Sequence, residues 1–450
     1  MKLKTFKIGG IHPPENKLSA AVEIVDAPLP NIAVVPLSQH LGVPAVPQVK
    51  RGDMVKVGSL LARGEAFISA NIHSPVSGKV AKIEPRVDSS GFRRDSIVIE
   101  VEGDEWEEHI DRSTDIIEDI KLEPKEIIER IHECGIVGLG GATFPSHVKY
   151  MIPEGRNVEY LIINGVECEP YLTSDHQLML EKGEEMIIGI RIMMKALGVS
   201  KAIIGIENNK ADAIKHLRGI AQKGEGISVE PLKLRYPQGG EKQLIDALLK
   251  RRIPSGKLPS DVGCVVNNVG TAYAIYEAVQ KNKPLIERIV TLTGKTVRKP
   301  SNFKVRLGTP ISDLFALGEC DMEHTAKVIN GGPMMGKSLV TLDAAVTKGT
   351  SGVLLMHKKE SKRVEVQNCI RCGKCTSVCP MGLEPHLLSI IARQGQTERC
   401  EVERIMDCIE CGSCVYICPS GRPLLDNIRM GKANTGLMIN MRNRKKFNNK

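Results

Sequence analysis

Two cysteine motifs near the end of the chain place the strongest constraint on its fold. The segments CIRCGKCTSVCP (369–380) and CIECGSCVYICP (408–419) repeat one spacing, C-x2-C-x2-C-x3-C-P. Three thiolates so close in sequence can reach three corners of one cubane iron–sulfur cluster, and the proline then turns the chain away. The motifs therefore predict eight metal ligands, namely Cys369, Cys372, Cys375, Cys379, Cys408, Cys411, Cys414 and Cys418.

The fourth cysteine of such a run usually ligates the other cluster. One predicted cluster then takes Cys369, Cys372, Cys375 and Cys418, and the other takes Cys408, Cys411, Cys414 and Cys379. A zinc site typically pairs two C-x2-C hooks across a longer loop, so the doubled register favours two [4Fe-4S] clusters over zinc. Two clusters held so close would relay single electrons.

The remaining composition indicates a cytosolic chain. The first ten residues, MKLKTFKIGG, carry charge but lack the apolar core of a signal peptide. No stretch approaches the roughly 18 apolar residues that a transmembrane helix needs. We expect no transmembrane segment, and in a reducing compartment clustered cysteines bind metal rather than form disulfides. Aromatic residues make up only 3% of the chain, which argues against a nucleic-acid partner.

Positive charge is concentrated at the end of the chain. From Lys358 onward there are 17 Lys and Arg against 9 Asp and Glu, which is a surplus of eight out of the net charge of +9. Five of these cations lie in the last ten residues, MRNRKKFNNK. Residues 433–450 form a basic tail that is either a solvated, disordered end or a docking segment for an acidic partner or anionic lipid.

The N-terminal part predicts a small β domain after an extension over residues 1–35. Residues 36–104 contain short alternating segments around glycine turns, as hairpins require. The pattern resembles the biotinyl/lipoyl barrel-sandwich, whose swinging arm hangs from a lysine at a hairpin tip. Here no lysine stands between Lys56 and Lys79, so we expect the fold without the carrier function.

The centre of the chain predicts an α/β domain over residues 124–285 with a mainly parallel sheet, because strand-like and helix-like segments alternate there. The predicted strands are YLIING (160–165), KAIIGIE (201–207) and ISVEPLKLRY (227–236), and the predicted helices are 177–197, 210–222 and 240–250. A strand-rich, β-grasp-like domain follows over 286–355, and a helical two-cluster, ferredoxin-like domain over 360–432. The fold class is thus multidomain, α/β plus β.

The stretch GIVGLGGATFPSHVKY (135–150) is a glycine-rich loop that matches neither common phosphate fingerprint. G-x-G-x-x-G would need glycine where Thr143 stands, and no G-K-[ST] follows. Taken alone, the loop is a packing turn about as often as a cofactor loop.

Three further stretches accompany this loop: NGVECEP (164–170), YPQGGEKQL (236–244) and VVNNVGTAYAI (265–275). Together the four stretches resemble the FMN- and NADH-binding subunit of respiratory complex I, over roughly residues 130–275. The resemblance implies bound FMN. It implies that Gly138, Gly140 and Lys149 meet the flavin phosphate and ring region, and that Asn164 and Glu167 meet the ribityl or isoalloxazine side. The remaining implied pocket residues are Gly141, Phe144, Glu169, Gly240, Glu241 and Asn268.

Two departures from that family concern NAD(H). Val166 stands where the family has an aspartate, and of the phenylalanines that sandwich adenine there, only Phe144 has a counterpart. The resemblance therefore supports FMN more strongly than NAD(H).

The order of all these parts, beginning with GGIHPPENK (9–17), resembles the C subunits of the Rnf family of ion-translocating oxidoreductases. The resemblance implies a peripheral subunit on the cytoplasmic face of the cell membrane. Its partners would be NAD(H) and the other subunits of a complex that moves electrons between ferredoxin and NAD while pumping sodium or protons. Such a mechanism needs no acid–base pair or nucleophile, and we predict no catalytic residue.

Two alternatives remain open from the sequence. The chain could be a non-catalytic iron–sulfur scaffold with a vestigial flavin domain, or a subunit of a related soluble reductase. His12 and His73 stand in HPP and HSP turns, where packing roles are expected, and Cys168 has no predicted role beyond packing.

Overall fold

A computed structural model describes residues 3–222 and 226–448. The chain divides into two compact units built from separated segments. The cysteine unit comprises Met1–Pro14, Leu232–Val262 and Lys362–Lys450. The sheet unit comprises Glu15–Pro231 and Gly263–Ser361. Among the described residues, no helix combines the length and the apolar composition required to cross a membrane.

The strands are short except in one hairpin. They are β1 (Ile24–Asp26), β2 (Ile32–Pro36), β3 (Val46–Pro47), β4 (Met54–Val55), β5 (Leu60–Arg63), β6 (Ile72–His73), β7 (Gly78–Val87), β8 (Arg93–Val101), β9 (Tyr160–Asn164), β10 (Ala202–Glu207), β11 (Ile227–Leu232), β12 (Cys264–Asn268), β13 (Glu287–Thr293), β14 (Ser301–Arg306), β15 (Thr325–Asn330), β16 (Lys337–Ser338) and β17 (Gly352–His357).

The helices fall mainly in the second half of the chain. They are α1 (Pro124–Glu133), α2 (Ser146–Tyr150), α3 (Ser174–Glu181), α4 (Gly183–Leu197), α5 (Ala211–Ala221), α6 (Glu241–Leu249), α7 (Val269–Gln280), α8 (Asp313–Leu317), α9 (Lys374–Ser377), α10 (Pro385–Arg393), α11 (Thr397–Val402), α12 (Ser413–Tyr416) and α13 (Leu424–Asn448).

The first part of the sheet unit is a sandwich of two small antiparallel sheets. One sheet has the order β2-β8-β7-β4 and the other β3-β5-β6. Alternate side chains, including Val35, Leu61 and Ile99, point inward and form a dry core between the sheets. The predicted barrel-sandwich is thus present, with β2 beginning a few residues before the expected boundary.

The centre of the sheet unit is a four-stranded sheet in the order β11-β10-β9-β12. β9 pairs in parallel with both β10 and β12. The strand residues Leu161, Ile163 and Ile204 are buried because helices cover them, and they share one core with the apolar face of α4. The carboxyl ends of β9 and β12 therefore lie side by side, and each carries one of the predicted polar stretches.

The last part of the sheet unit is a mixed sheet in the order β1-β14-β13-β17-β15-β16. Its core includes Val290, Phe303 and Leu355, with the short helix α8 contributing Leu314. This sheet corresponds to the strand-rich domain expected at 286–355, and the sequence did not indicate that Ile24–Asp26 adds a parallel edge strand to it.

The cysteine unit is helical apart from short bridges made by its first residues. Lys4 pairs with Leu232 and Ile11 with Tyr236, and the N–H of Gly10 donates to the carbonyl of Val378 at 2.8 Å. Helices α10, α11 and α13 pack around a small apolar core.

Two local expectations were wrong, and the disordered alternative for the basic tail is contradicted. The single helix expected over 177–197 is two helices, because Lys182 leaves the helical conformation (φ −125°, ψ 31°) and the chain restarts at Gly183. The strand expected to reach Tyr236 ends at Leu232. The basic segment from residue 433 onward continues helix α13 as far as Asn448, and its last two residues lie outside the described part of the chain.

Candidate cofactor sites

The two cysteine motifs fold in the same way. Arg371 and Glu410, each before the second cysteine of its motif, both have φ of 56°. Gly373 and Gly412, each after that cysteine, lie in the left-handed region and begin the single-turn helices α9 and α12. The repeated turn folds each run tightly on itself, so that three closely spaced cysteines belong to one loop.

Four thiols of the cysteine unit surround one cavity, and they belong to the set predicted from cross-ligation. Cys379 from the first motif lines this cavity together with Cys408, Cys411 and Cys414 from the second. The rest of the wall is largely apolar, with Leu388 and Ile428 among its residues. No three His, Cys, Asp or Glu side chains in the described ranges are placed to hold a single metal ion.

The chemistry of this cavity fits a cluster with thiolate ligands. Burial, together with the neighbouring thiols, Cys379 among them, raises the pKa of Cys408 to about 11 and that of Cys414 to about 12. Backbone N–H groups of Leu383 and Glu410 donate to the sulfurs of Cys379 and Cys408, both at 3.4 Å. Such crowded thiolates need a cationic centre to compensate their charge, and N–H···S bonds are among the features that tune a cluster.

Basic side chains stand beside the second motif. Lys432 of α13 donates to the carbonyl of Cys408 at 2.7 Å and to the carboxylate of Glu410 at 2.9 Å. Arg429 approaches the same carboxylate at 3.0 Å. These cations lower the pKa of Glu410 against the effect of its burial, and they place positive charge next to the thiol cavity.

The other predicted cluster set is more open. Cys369 and Cys372 are exposed, and Cys375 and Cys418 are half-buried. The N–H of Gln367 donates to the carbonyl of Ser420 at 2.9 Å. Gln367 lies two residues before Cys369, and Ser420 lies two residues after Cys418. This hydrogen bond therefore brings the start of the first motif close to the end of the second.

The glycine loop of the sheet unit is closed at its base and open at its tip. The N–H of Gly138 donates to the carbonyl of Phe144 at 2.9 Å. Leu139 is fixed from both sides, because its N–H donates to Thr271 Oγ1 at 3.0 Å and its carbonyl accepts from Arg288 Nη2 at 3.1 Å. Gly140 and Gly141 lie beyond these contacts and are exposed.

Asn268 joins this loop to the ends of the parallel strands. As the N-cap of α7, it accepts from the N–H of Gly270 at 2.8 Å. Its amide nitrogen donates to Asp175 Oδ2 at 2.7 Å and to the carbonyl of Asn164 at 3.3 Å. A Cβ at Gly140 would lie 2.7 Å from that amide nitrogen, so only glycine lets the loop approach so closely.

The acidic and basic groups below the loop are buried. Burial and the charge of Glu167 raise the pKa of Asp175 to about 7. Arg288 is also buried; desolvation lowers its pKa to about 10, and the charge of Asp175 opposes that effect. Lys210 donates to the carbonyl of Val166 at 2.8 Å. These groups form a polar floor under the glycine loop.

Glu167 and Lys17 shape the stretch after β9. The Glu167 carboxylate accepts from the N–H groups of Asp175 at 2.7 Å and His176 at 3.2 Å, at the start of α3. The Lys17 ammonium donates to the carbonyls of Glu167 at 2.9 Å, Glu169 at 2.9 Å and Leu172 at 2.6 Å. Glu167 has φ of 46°, so this turn is held in a conformation that few residues adopt.

Two of the predicted site residues, Lys149 and Glu169, hydrogen-bond to backbone groups of neighbouring segments. Lys149 donates to the carbonyl of Val266 at 2.7 Å. The Glu169 carboxylate accepts from the N–H groups of Met334 at 3.1 Å and Met335 at 2.7 Å. The expected contact of Lys149 with a flavin phosphate stays a prediction.

Gly240 and Glu241 belong to the other unit. Gly240 precedes α6 in the cysteine unit, and Gln243 of that helix donates to the carbonyl of Pro380 at 3.2 Å. The structure therefore brings Gly138, Gly140, Asn164, Glu167 and Asn268 together, and it describes the α6 residues within a separate unit.

Sequence reasoning missed Lys17, Asp175, Lys210 and Arg288. Lys17 ends the quoted GGIHPPENK segment and Asp175 stands five residues after NGVECEP, so both were near known signals. Lys210 and Arg288 carried no local signal. The residues present fit FMN, because the exposed tip of the glycine loop lies over the polar floor. A Cβ on Gly140 would clash with Asn268, so the loop leaves this position without a side chain.

Family models match three parts of the chain. A Nuo51 FMN-binding domain matches residues 131–277, an RnfC barrel sandwich hybrid domain matches 4–104, and a 4Fe-4S dicluster domain matches 365–422. A second 4Fe-4S dicluster model matches 343–384.

Similar proteins extend over nearly the whole chain. The C subunit of the proton-translocating ferredoxin:NAD(+) oxidoreductase complex of Clostridium ljungdahlii is 44% identical, over 89% of this chain and 87% of that protein. The Na(+)-translocating counterpart of Acetobacterium woodii is 42% identical, over 96% and 97% respectively. This chain belongs to the family of C subunits of ion-translocating oxidoreductase complexes.

Membership of this family confirms the resemblance, the fold class and the FMN and [4Fe-4S] cofactors expected from the sequence. Another member, the C subunit of the ion-translocating oxidoreductase complex of Rhodobacter capsulatus, is 40% identical over 96% of this chain and 83% of its own length. A crystal structure of an NAD+-reducing [NiFe]-hydrogenase in the H2-reduced state has a TM-score of 0.51 at 17% identity, over 69% of this chain and 63% of that one. That similarity shows the fold alone.

Proposed function

We propose that this chain is the electron-transfer subunit of a membrane-bound, ion-translocating ferredoxin:NAD(+) oxidoreductase. It passes electrons between NAD(H), FMN and two [4Fe-4S] clusters, and it works within a complex with other subunits. The observation that carries the proposal is the thiol cavity of Cys379, Cys408, Cys411 and Cys414 on a chain that also contains an FMN-binding domain.

Bound FMN supplies the exchange between the two-electron chemistry of a hydride and the one-electron chemistry of the clusters. The residues of the chain bind and orient. The exposed tip at Gly140 and Gly141 offers backbone N–H groups to a phosphate, and Asn268 fixes the distance of that tip from the strand ends. The buried groups Asp175 and Arg288 hold this arrangement in place from below.

In the cysteine unit, the chain holds each cluster and adjusts its charge. Cys379 would close the second cluster and Cys418 the first, each with three cysteines of the other motif. Lys432 and Arg429 would offset the negative charge of a thiolate-ligated cluster, which favours its reduced form. We assign no residue as a proton donor or acceptor; the proton left behind when the two electrons of a hydride pass singly to the clusters would leave to solvent.

We infer that the chain is peripheral and lies on the cytoplasmic face of the membrane, where NAD(H) and ferredoxin are found. The family names of its relatives and the basic C-terminal segment support this inference.

One preparation tests the proposed function. The full chain is purified without oxygen, its flavin and iron are counted, and NADH is added while the flavin absorbance is followed. We expect one FMN that NADH bleaches and about eight iron atoms. About eight iron atoms without any flavin would instead identify the chain as a relay scaffold.

A further inference from the structure

An exposed apolar group stands at one end of the barrel-sandwich. It consists of Leu41, Val43, Phe67 and Ile68, whose exposures are 49%, 56%, 65% and 37%. We call these four residues the apolar tip. They lie on two loops of the sandwich, after β2 and between β5 and β6, and the second loop is where a carrier domain would need its lysine.

The apolar tip is rigid. The N–H of Val43 donates to the carbonyl of Ile68 at 3.0 Å, and the hydroxyl of Ser69 donates to the carbonyl of Val43 at 2.8 Å. The buried His40 ring stands 3.1 Å from that hydroxyl. Gly42 has φ of +105°, and a Cβ there would lie 2.0 Å from the Ile68 carbonyl, so the two loops meet as closely as glycine permits. Ligand contact would therefore require little ordering of the backbone of these two loops.

The apolar tip borders the glycine loop. The N–H of Leu41 donates to the carbonyl of Thr143 at 3.2 Å, directly after the exposed tip of that loop. His147, which follows the loop, is hydrogen-bonded to the backbone of Phe67. No described atom lies within 4 Å of a Cβ position on Gly141. An open, backbone-lined surface and an exposed aromatic ring thus meet within one compact unit.

We propose that the apolar tip binds the adenine end of NAD(H), with Phe67 stacking on the base beside the flavin-binding glycine loop. This inference rests on the proposed function and adds a stacking surface to the flavin domain, in which only Phe144 matches the family's adenine-stacking phenylalanines. Stacking of a base on an aromatic side chain is worth about 1–3 kcal/mol and needs no particular hydrogen bonds. A nucleotide suits the tip better than a protein does, because a stable protein interface uses roughly 20–30 residues a side and this group has four.

The test compares two reduced nucleotides on the full, FMN-loaded chain. NADH carries adenosine, whereas reduced nicotinamide mononucleotide carries the same reactive ring without it. In Phe67→Ala we expect KM for NADH to rise about 5- to 150-fold, which is the loss of one stacked base. The kcat for NADH and both constants for the mononucleotide stay at wild-type values.

Phe92→Ala is the matched control, because Phe92 is also 65% exposed and lies on the turn between β7 and β8. Phe67→Trp should restore the NADH value. A second readout needs no turnover: calorimetry with ADP-ribose should show binding to wild type and to the Phe92 variant, and weaker binding to Phe67→Ala.

Three results would overturn the inference. KM for NADH could be unchanged in Phe67→Ala, or it could rise equally for both nucleotides. The variant could also leave both kinetics and ADP-ribose binding intact while losing retention in the complex, which would make the apolar tip an interface with another protein of that complex. NADH oxidation by the wild-type chain tests the proposed function separately. If wild type oxidises NADH but Phe67→Ala has the wild-type KM, the apolar-tip proposal alone is wrong; if wild type does not oxidise NADH, the proposed function is wrong.

Discussion

Replacement of Lys17 by methionine should loosen the NGVECEP stretch and release the flavin. The Lys17 ammonium is the shared donor to three backbone carbonyls, those of Glu167, Glu169 and Leu172. Methionine keeps the length and apolar character of the side chain but donates nothing. The three carbonyls then lose their common partner in a buried place, where an unsatisfied polar group is costly.

The magnitude follows from two opposed contributions. Hydrogen bonds to a charged donor contribute about 1.5–3 kcal/mol each, so three give about 4.5–9 kcal/mol. Burial is the main cause that lowers the pKa of Lys17 from 10.5 to about 8, which corresponds to about 3 kcal/mol against the charged form. Methionine avoids that cost, so the net loss is about 1.5–6 kcal/mol, confined to the turn and the start of α3.

The assay is flavin release during denaturant titration, followed by flavin fluorescence beside far-ultraviolet circular dichroism. Lys17→Met should release flavin at a clearly lower denaturant concentration than wild type, and its flavin content on purification should fall. Lys50→Met is the control, because Lys50 is exposed in the same unit. Flavin release at the wild-type midpoint in Lys17→Met would refute the reasoning that these three contacts hold the turn.

Three further perturbations have defined outcomes. Cys379→Ala should remove the second motif's cluster, so that iron falls from about eight to about four atoms; EPR showing loss of the first motif's cluster instead would reject cross-ligation. Gly140→Ala should displace Asn268 and lower the FMN content, whereas Gly141→Ala, where no described atom lies within 4 Å of the new Cβ, should leave it at the wild-type level; equal FMN loss in both variants would contradict the role of Asn268. Burial, aided by the charge of Lys348, lowers the pKa of His73 from 6.5 to about 3, so the folded state binds fewer protons than the unfolded state between these values. Because of His73, the free energy of unfolding should fall by about 2 kcal/mol as the pH drops from neutrality to 5. In His73→Asn, the melting temperature should therefore depend less steeply on pH. The same pH dependence in both proteins would count against a buried neutral ring.

The features that depend on short distances along the chain could be predicted from the sequence. The eight cysteine ligands follow from distances of three or four residues along the chain, and the parallel sheet follows from apolar runs that alternate with helical periodicity. The identical left-handed positions at Arg371 and Glu410 show how completely the local motif specifies its own turn. These features need no knowledge of distant residues.

The features that could not be predicted from the sequence depend on contacts between residues that are far apart in the chain. Arg288 reaches the carbonyl of Leu139 across 149 residues, and Lys17 reaches Glu167 across 150. No periodicity marks either side chain, since a buried cation looks like any surface lysine or arginine until its carbonyl partners are brought to it. The start of α3 at Ser174 was missed for a related reason: the N–H groups of its first turn are bound by the carboxylate of Glu167 rather than by residues within the helix.

The segmented cysteine unit sets the timing of its own assembly during synthesis. Lys4 and Ile11 form bridges with Leu232 and Tyr236, and the N–H of Gly10 cannot form its hydrogen bond until Val378 has been made. At a synthesis rate of about 5–20 residues per second, the opening segment is made roughly 20 to 75 seconds before that partner exists. Every cysteine of the two motifs leaves the ribosome after the whole sheet unit has been made. Iron and sulfide can therefore be bound only after the sheet unit has been made, and a ribosome that stalls between Ser361 and Cys369 yields a protein with its sheets complete and its electron relay missing.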